Sequence, residues 1–350
     1  MRIAQVAPLA ESVPPKMYGG TERVASWLTE ELVRQGHQVT LFASGDSKTS
    51  AELVACAPHG LRLSGIRDHT ASHLAMLAKV RERSAEFDII HFHLDLLQHA
   101  LFTDLAHKCV TTLHGRLDLP DFLPVYRAFP QMPLISISDC QRQPMPDTAN
   151  WLATVHHGLG PGLCPFDKRG GDYLAFLGRI TPEKRPDRAI EIAKRAGMPL
   201  KIAAKVDSID ADYHRTEIKP LLDHPLIEFI GEIDETQKAA FLGGARALLF
   251  PIDWPEPFGL VMIEAMSAGT PVIAWRNGSV PEVIKDGVSG IIVDTMAEAV
   301  AAAHRSAMID RLQVRQYFEG HFTAARMASD YLDAFERLLA SSREPRRAAE

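Results

Sequence analysis

From the first residue to about residue 295, short runs of β-branched and leucine-rich residues alternate with longer stretches whose apolar positions recur at helical spacing. This alternation predicts parallel sheets covered by helices, an α/β chain. Ile3–Val6 reads as the first strand. Gly20–Gln35 reads as a helix with Val24, Trp27, Leu28 and Leu32 on one face, stopped by Gly36. Strands follow at Val39–Phe42, Ile89–Phe92, Val110–Leu113, Leu134–Ile137 and Leu152–Val155. The glycine- and proline-rich stretch from Gly158 to Asp172 suits neither helix nor strand interior and marks a linker.

A second series repeats the pattern. Its strands are expected at Leu174–Leu177, Leu200–Ala203, Ile227–Ile230, Ala247–Phe250, Val272–Ala274 and Ile291–Val293, with helices such as Asp187–Arg195 and Gln237–Leu242 between them. From Met296 to Leu339 the pattern is helical throughout, and Ser341–Glu350 is polar and expected to fray. The chain therefore reads as two doubly wound domains, residues 1–160 and 161–320, with a closing helix at 321–340 that returns to the first domain. In such sheets ligands bind beyond the carboxyl ends of the strands, so residues just after strands are the candidates for function.

Composition narrows the classes of partner. The formal charge is −6, and residues 1–165 hold 14 Lys and Arg against 16 Asp and Glu, so no basic body favours nucleic acid. Cys56, Cys109, Cys140 and Cys164 lie far apart, which suggests neither a zinc knuckle nor a disulfide framework and fits a reducing cytosol. The first ten residues do not form a secretory apolar region, and no apolar run approaches the roughly 20 residues of a membrane span. The expected location is cytoplasmic, with peripheral contact at the inner face of a membrane left open.

The sharpest motif is Glu256-Pro-Phe258-Gly259-Leu260-Val-Met-Ile-Glu264, continuing through Gly269 and Pro271. It follows a strand and a proline-rich turn, so Gly259 would open a helix whose positive end suits an anion. Glu264 falls within the first two turns of that apolar helix, where a carboxylate needs a polar partner; a ribose diol would serve. After the first strand of the second series comes Gly178-Arg179-Ile-Thr-Pro-Glu-Lys184-Arg185. Arg179 and Lys184 put two cations just after a strand. In the first series, Tyr18-Gly19-Gly20-Thr-Glu22 lies between strand and helix, where glycines allow close approach of a ligand. His114 follows the strand Val110–Leu113.

Together these segments resemble glycosyltransferase family 4, retaining enzymes of the GT-B fold with an E-x7-E signature, and the resemblance runs over roughly residues 1–335. It implies two Rossmann-like domains facing across a cleft, the first on the acceptor side and the second binding a nucleotide sugar. It gives Arg179 and Lys184 the diphosphate, Glu256 and His114 the sugar, and Glu264 the ribose. Gly19, Gly20, Gly178, Phe258, Gly259 and Leu260 would line the donor. No metal and no cofactor is required, since the nucleotide diphosphate sugar is itself the donor substrate. A UDP-sugar is favoured over a GDP-sugar, and the acceptor is a hydroxyl of a carbohydrate, lipid or small molecule. Ser138, the Val155–Gly158 segment and Asn277–Glu282 also align, although His157 stands where the family commonly has Asn. Trp254 either shapes the donor pocket or packs the turn, and Arg276 and Lys285 read as solvated.

Three other readings compete. His91-Phe-His93-Leu-Asp95 recasts the chain as a zinc hydrolase, but Leu96 occupies the place of the further histidine and no ligand set completes the site. A sugar-nucleotide epimerase of similar architecture, or a non-catalytic nucleotide-sugar binding protein, would keep the fold and change the outcome.

Overall fold

The computed structural model describes residues 1–16, 19–62 and 64–343. Tyr18 of the glycine loop and residues 344–350 of the polar tail lie outside the described residues. The chain divides into two compact units, Met1–Gly160 together with the residues from Ala324 onward, and Pro161–Thr323.

In chain order the first unit holds β1 (Arg2–Val6), α1 (Gly20–Arg34), β2 (Gln38–Ser44), β3 (Glu52–Ala57), α2 (Thr70–Glu82), β4 (Ile89–Phe92), β5 (Cys109–Thr112), α3 (Leu123–Ala128), β6 (Leu134–Ser136) and β7 (Trp151–Thr154). The strands form one parallel sheet in the order β3-β2-β1-β4-β5-β6-β7. All four residues of β4, and all of β1 after Arg2, are buried. Such near-continuous burial is what helices on both faces of a parallel sheet require. The strand β3 is absent from the sequence reading. It is an edge strand of half-buried and exposed residues, so no buried apolar run announces it.

The second unit holds β8 (Tyr173–Arg179), α4 (Pro186–Ala196), β9 (Leu200–Lys205), the single turn α5 (Ala211–Tyr213), β10 (Ile227–Gly231), α6 (Glu235–Gly243), β11 (Ala245–Phe250), α7 (Leu260–Ser267), β12 (Val272–Trp275), α8 (Val280–Val283), β13 (Gly290–Val293), α9 (Met296–Arg305) and α10 (Arg311–His321). Its parallel sheet runs β10-β9-β8-β11-β12-β13. Helix starts are written locally. Pro186 opens α4, while α6 and α9 each begin with a capping box, Asp234 with Gln237 and Thr295 with Glu298. In both sheets the strand order reverses at the first strand, between β1 and β4 and between β8 and β11, which puts the loops after those strands at the switch points.

The helical stretch expected from Met296 to Leu339 is divided among three helices. A 3-10 turn at Ser306–Met308 ends α9, Asp310 caps α10 by accepting from the Leu312 N–H at 2.9 Å, and a third helix, α11 (Ala324–Arg343), follows Thr323. At the break between α9 and α10 the Asp310 side chain bonds nearby backbone in competition with a continuing helix. The helix α11 belongs to the first unit. It buries Met327, Ala328, Tyr331, Ala334, Phe335 and Leu338 along one stripe, and the Tyr331 hydroxyl lies 3.1 Å from Thr112 Oγ1 of β5. Among the described residues no helix is long and apolar enough to cross a membrane.

Arg311, the first residue of α10, ties the second unit together. Its guanidinium donates to the carbonyls of Asp167, Gly243, Ala245 and Ala268 and to Thr270 Oγ1. Burial pulls its pKa below the ordinary value, but the acceptors keep the cation in place. Replacing it by Met leaves these groups without their donor. Arg311→Met is expected to destabilise the second unit by about 2 to 4 kcal/mol, read as a lower urea midpoint for that unit's transition.

Candidate functional site

The loop after β8 carries the expected cations. Gly178 and Arg179 end the strand, Pro182–Lys184 form a single 3-10 turn, and Arg185 sits in the left-handed region at φ 53° before α4 begins. A Cβ at Gly178 would meet nothing within 4 Å, so the chain's own packing does not demand glycine there. Arg179 lies 3.7 Å from Glu183 and 3.6 Å from Asp207, and its Nε is buried with no hydrogen-bond partner.

Lys184 does not stand alone. Its ammonium is paired with Glu256 Oε2 and lies 5.1 Å from the centroid of the Trp254 ring and 5.6 Å from that of Phe250. The two residues assigned to diphosphate and to sugar are thus bound to each other in this structure. Trp254, for which shaping and packing were equally open, packs against the Lys184 cation. Further bonds join the same loops: Arg185 and Arg188 both reach Asp253, at 2.8 and 3.2 Å, and the Asp253 N–H donates to Glu183 O at 2.9 Å. Arg185 is also held by Asp187. The sequence reading missed Asp253 and Arg188, which lie outside the motif; the clue was an acid next to the motif facing three clustered bases.

The segment beyond Glu256 turns into α7 through Gly259, whose φ of 81° is left-handed. No side chain caps the helix, so its first-turn N–H groups keep their positive end uncovered by an acidic cap. Leu260 is half-buried. The Phe258 ring is 2% exposed and packs edge-on against Phe322, while its carbonyl accepts from Ser279 Oγ at 2.8 Å. The polar partner expected for Glu264 is present within the protein. Lys238 of α6 donates to Glu264 Oε1 at 2.8 Å, and both are buried. Lys238 was invisible to motif reading because it comes from a different helix.

The Asn277–Glu282 loop fixes the other side of Glu256. The Ser279 N–H donates to Glu256 O at 2.9 Å, and a Cβ at Gly278, itself at φ 53°, would overlap the backbone N and O of Glu256. Arg276 pairs with Asp294 at the surface and Lys285 is exposed.

In the first unit Gly19 precedes α1 and Gly20 opens it. A Cβ on Gly19 would come 2.9 Å from Pro15 Cβ and 3.0 Å from Glu22 Oε2. Glu22 is buried, and desolvation raises its carboxyl pKa against the pull of Arg62. Ser138 is fully buried, accepting from the Gln141 N–H at 3.1 Å.

His114 belongs to a histidine cluster. Its Nε2 lies 2.8 Å from His93 Nδ1, and His93 Nε2 lies 2.7 Å from Gln5 Oε1. His157 stacks on His114 at 5.3 Å, and Arg326 of α11 holds the His156 and His157 carbonyls. His91 lies 2.7 Å, through Nε2, from Thr112 Oγ1 and packs on Tyr331 and Phe335. The spacing of His91, in β4, and His93, directly after it, does put both rings on one side, with centroids 4.2 Å apart. There they contact protein groups, while Asp95 is exposed. Among the described residues no group of three or more His, Cys, Asp or Glu is arranged to hold a metal ion.

Burial holds all these rings neutral. Desolvation pushes the pKa values of His91 and His114 down to about 3 and those of His93 and His157 well below 6.5, with repulsion between rings that would both be charged adding to it for His91, His93 and His157, and the Arg326 cation for His157. Between those depressed values and the ordinary 6.5, the unfolded chain binds more protons than the native one. Stability is complete above about pH 6.5 and falls as pH drops, by up to about 1.4 kcal/mol per pH unit for each ring. Urea unfolding of the first unit between pH 7 and 5 is expected to show this loss with uptake of more than one proton; a flat profile contradicts the neutral cluster.

Comparison with known proteins joins these observations. The description "Glycosyltransferase Family 4" matches residues 18–139 and "Glycosyl transferases group 1" matches residues 167–323. The phosphatidyl-myo-inositol mannosyltransferase of Mycolicibacterium smegmatis is 26% identical, covering 87% of this chain and 83% of its own. Among solved structures, sucrose-phosphate synthase from Thermosynechococcus elongatus superposes with a TM-score of 0.78 at 17% identity, over 97% of this chain and 99% of its own. HepE of Anabaena in complex with UDP-glucose gives 0.70 at 17% identity, over 96% and 100%. The chain, with its two parallel doubly wound units, is a glycosyltransferase of family 4 with the GT-B fold.

Proposed function

We propose that this glycosyltransferase moves a hexose from a nucleotide diphosphate sugar, with a UDP-sugar favoured and a GDP-sugar second, to a hydroxyl acceptor with retention of anomeric configuration. The observation that carries the reading is the cationic shelf after β8, Arg179 and Lys184, built beside the uncapped start of α7 at the sheet's switch point. Such a shelf suits a diphosphate better than any neutral ligand.

On this reading Arg179 and Lys184 bind the diphosphate, and their charge counts most as the glycosidic bond breaks. Glu256, released from Lys184 by the arriving phosphate, turns to the sugar hydroxyls, while Glu264, held by Lys238, takes the ribose. Gly178, Gly259, Leu260 and the Phe258 backbone line the donor; Gly19, Gly20 and His114 keep the roles that the family resemblance gives them. The acceptor's proton passes to a departing phosphate oxygen, so no protein nucleophile and no metal takes part. HepE is solved with UDP-glucose and the mycobacterial relative bears the name of a lipid mannosyltransferase, which supports a hexosyl donor and brings lipid acceptors into the test. The four free cysteines support a reducing cytoplasm as the place of reaction.

Nucleoside diphosphate release from UDP-, GDP- and ADP-sugars, with chelator and an acceptor pool that includes phosphatidylinositol vesicles, tests the proposal. One donor should give acceptor-stimulated release, and its product should keep the donor's anomeric configuration by NMR. Absence of transfer from every donor, or an inverted product, refutes it. Arg179→Ala and Lys184→Ala should each raise the barrier by about 2 to 4 kcal/mol, seen chiefly in kcat; near-normal turnover removes them from the diphosphate.

A further inference from the structure

We infer that Gln5 and His93 are positioning residues that hold His114 as a single neutral tautomer, with its proton on Nε2 and Nδ1 bare. The chain of contacts crosses three adjacent strands or their ends: Gln5 lies in β1, His93 directly follows β4 and His114 closely follows β5. Gln5 and His93 are buried, and His114 is half-buried.

The proton positions follow from the hydrogen-bond network. Gln5 Oε1 can only accept, so the 2.7 Å contact puts a hydrogen on His93 Nε2. A neutral His93 then has a lone pair at Nδ1, and the 2.8 Å contact to His114 Nε2 is a bond that His114 donates. Burial keeps His114 neutral as well, so its second nitrogen carries no hydrogen. At that end of the relay Nδ1 is buried with no hydrogen-bond partner among the described residues, as Gln5 Nε2 is at the other, so the sense of the relay is set by the amide presenting Oε1 to His93. Stacking by His157 fixes the plane of the same ring.

The consequence rests on the functional reading that His114 faces the donor sugar. Its only ring proton is committed inward to His93, so the ring has none to give to an attacking or departing oxygen. His114 orients the sugar and leaves proton transfer to the substrate.

Long-range proton–nitrogen correlation on the full-length protein with nitrogen-15 histidine tests the relay. Wild type should show His114 Nδ1 as a pyridine-type nitrogen and Nε2 as a pyrrole-type nitrogen, with His93 in the same sense. Gln5→Met, which removes the fixed acceptor, should lose this single sense and populate both tautomers of the pair. A wild-type His114 protonated at Nδ1 overturns the inference without recourse to any variant. Shifts in Gln5→Met identical to wild type overturn the role of Gln5. The spectrum is recorded without donor, so failure of every nucleotide sugar in the transfer assay would sink the functional reading and leave the relay standing on its own data.

Discussion

Four basic side chains crowd the segment from Arg179 to Arg188, and their mutual repulsion is offset by the segment's own Glu183 and Asp187 and by acids from other segments that stand among them. Asp253 is the joint. It takes Arg185 and Arg188 from one loop through its side chain and binds the carbonyl of Glu183 through its N–H, three residues before Glu256 takes Lys184. Two loops that follow adjacent strands, β8 and β11, therefore cannot move independently. The left-handed backbone of Arg185, which an L-residue seldom adopts, is held by the same ion pairs. Fixed charges of this kind need no reorganisation when negative charge develops beside them, which is the main source of electrostatic catalysis.

Beyond that joint, α7 is satisfied at one end and open at the other. Arg311 and Arg315, both of α10, donate to the carbonyls of Ala268 and Ser267 at its C-terminus, where cations also complement the helix dipole. Its N-terminus has no side-chain cap. The close approach of Gly278 to Glu256 locks the turn that leads into this end, so the helix start and the shelf form one surface. An anion is the ligand that this polarity favours.

The repeating alternation of apolar runs and helical stretches revealed the α/β class, both sheets and nearly every strand, because buried parallel strands carry their own signal. The edge strand β3 lacked it, being half-exposed on both faces. The break between α9 and α10 turned on whether Asp310 bonds locally or faces solvent, a choice that tertiary packing makes. Motifs located Arg179, Lys184, Glu256 and Glu264 because each lies just after a strand or in the opening turns of a helix. What spacing could not give was which charges meet. Lys184 with Glu256 spans 72 positions and Lys238 with Glu264 spans 26, and no local pattern encodes such pairs.

Both units bury carboxylates, Glu11, Glu22 and Glu31 in the first and Glu256 and Glu264 in the second, but their candidate residues differ in charge. Those of the second are paired ions, whereas the histidine cluster of the first is neutral and linked by hydrogen bonds from Gln5 to His114. Neutral rings with depressed pKa values make poor bases at physiological pH and have no proton to donate beyond those already bonded. Within the first unit such rings contribute hydrogen-bonded geometry rather than proton transfer, because each nitrogen that carries a proton in the chain from Gln5 to His114 already donates it to a protein acceptor. Within the second unit the paired loops contribute fixed charge, which acts without reorganisation on an anion bound beside it.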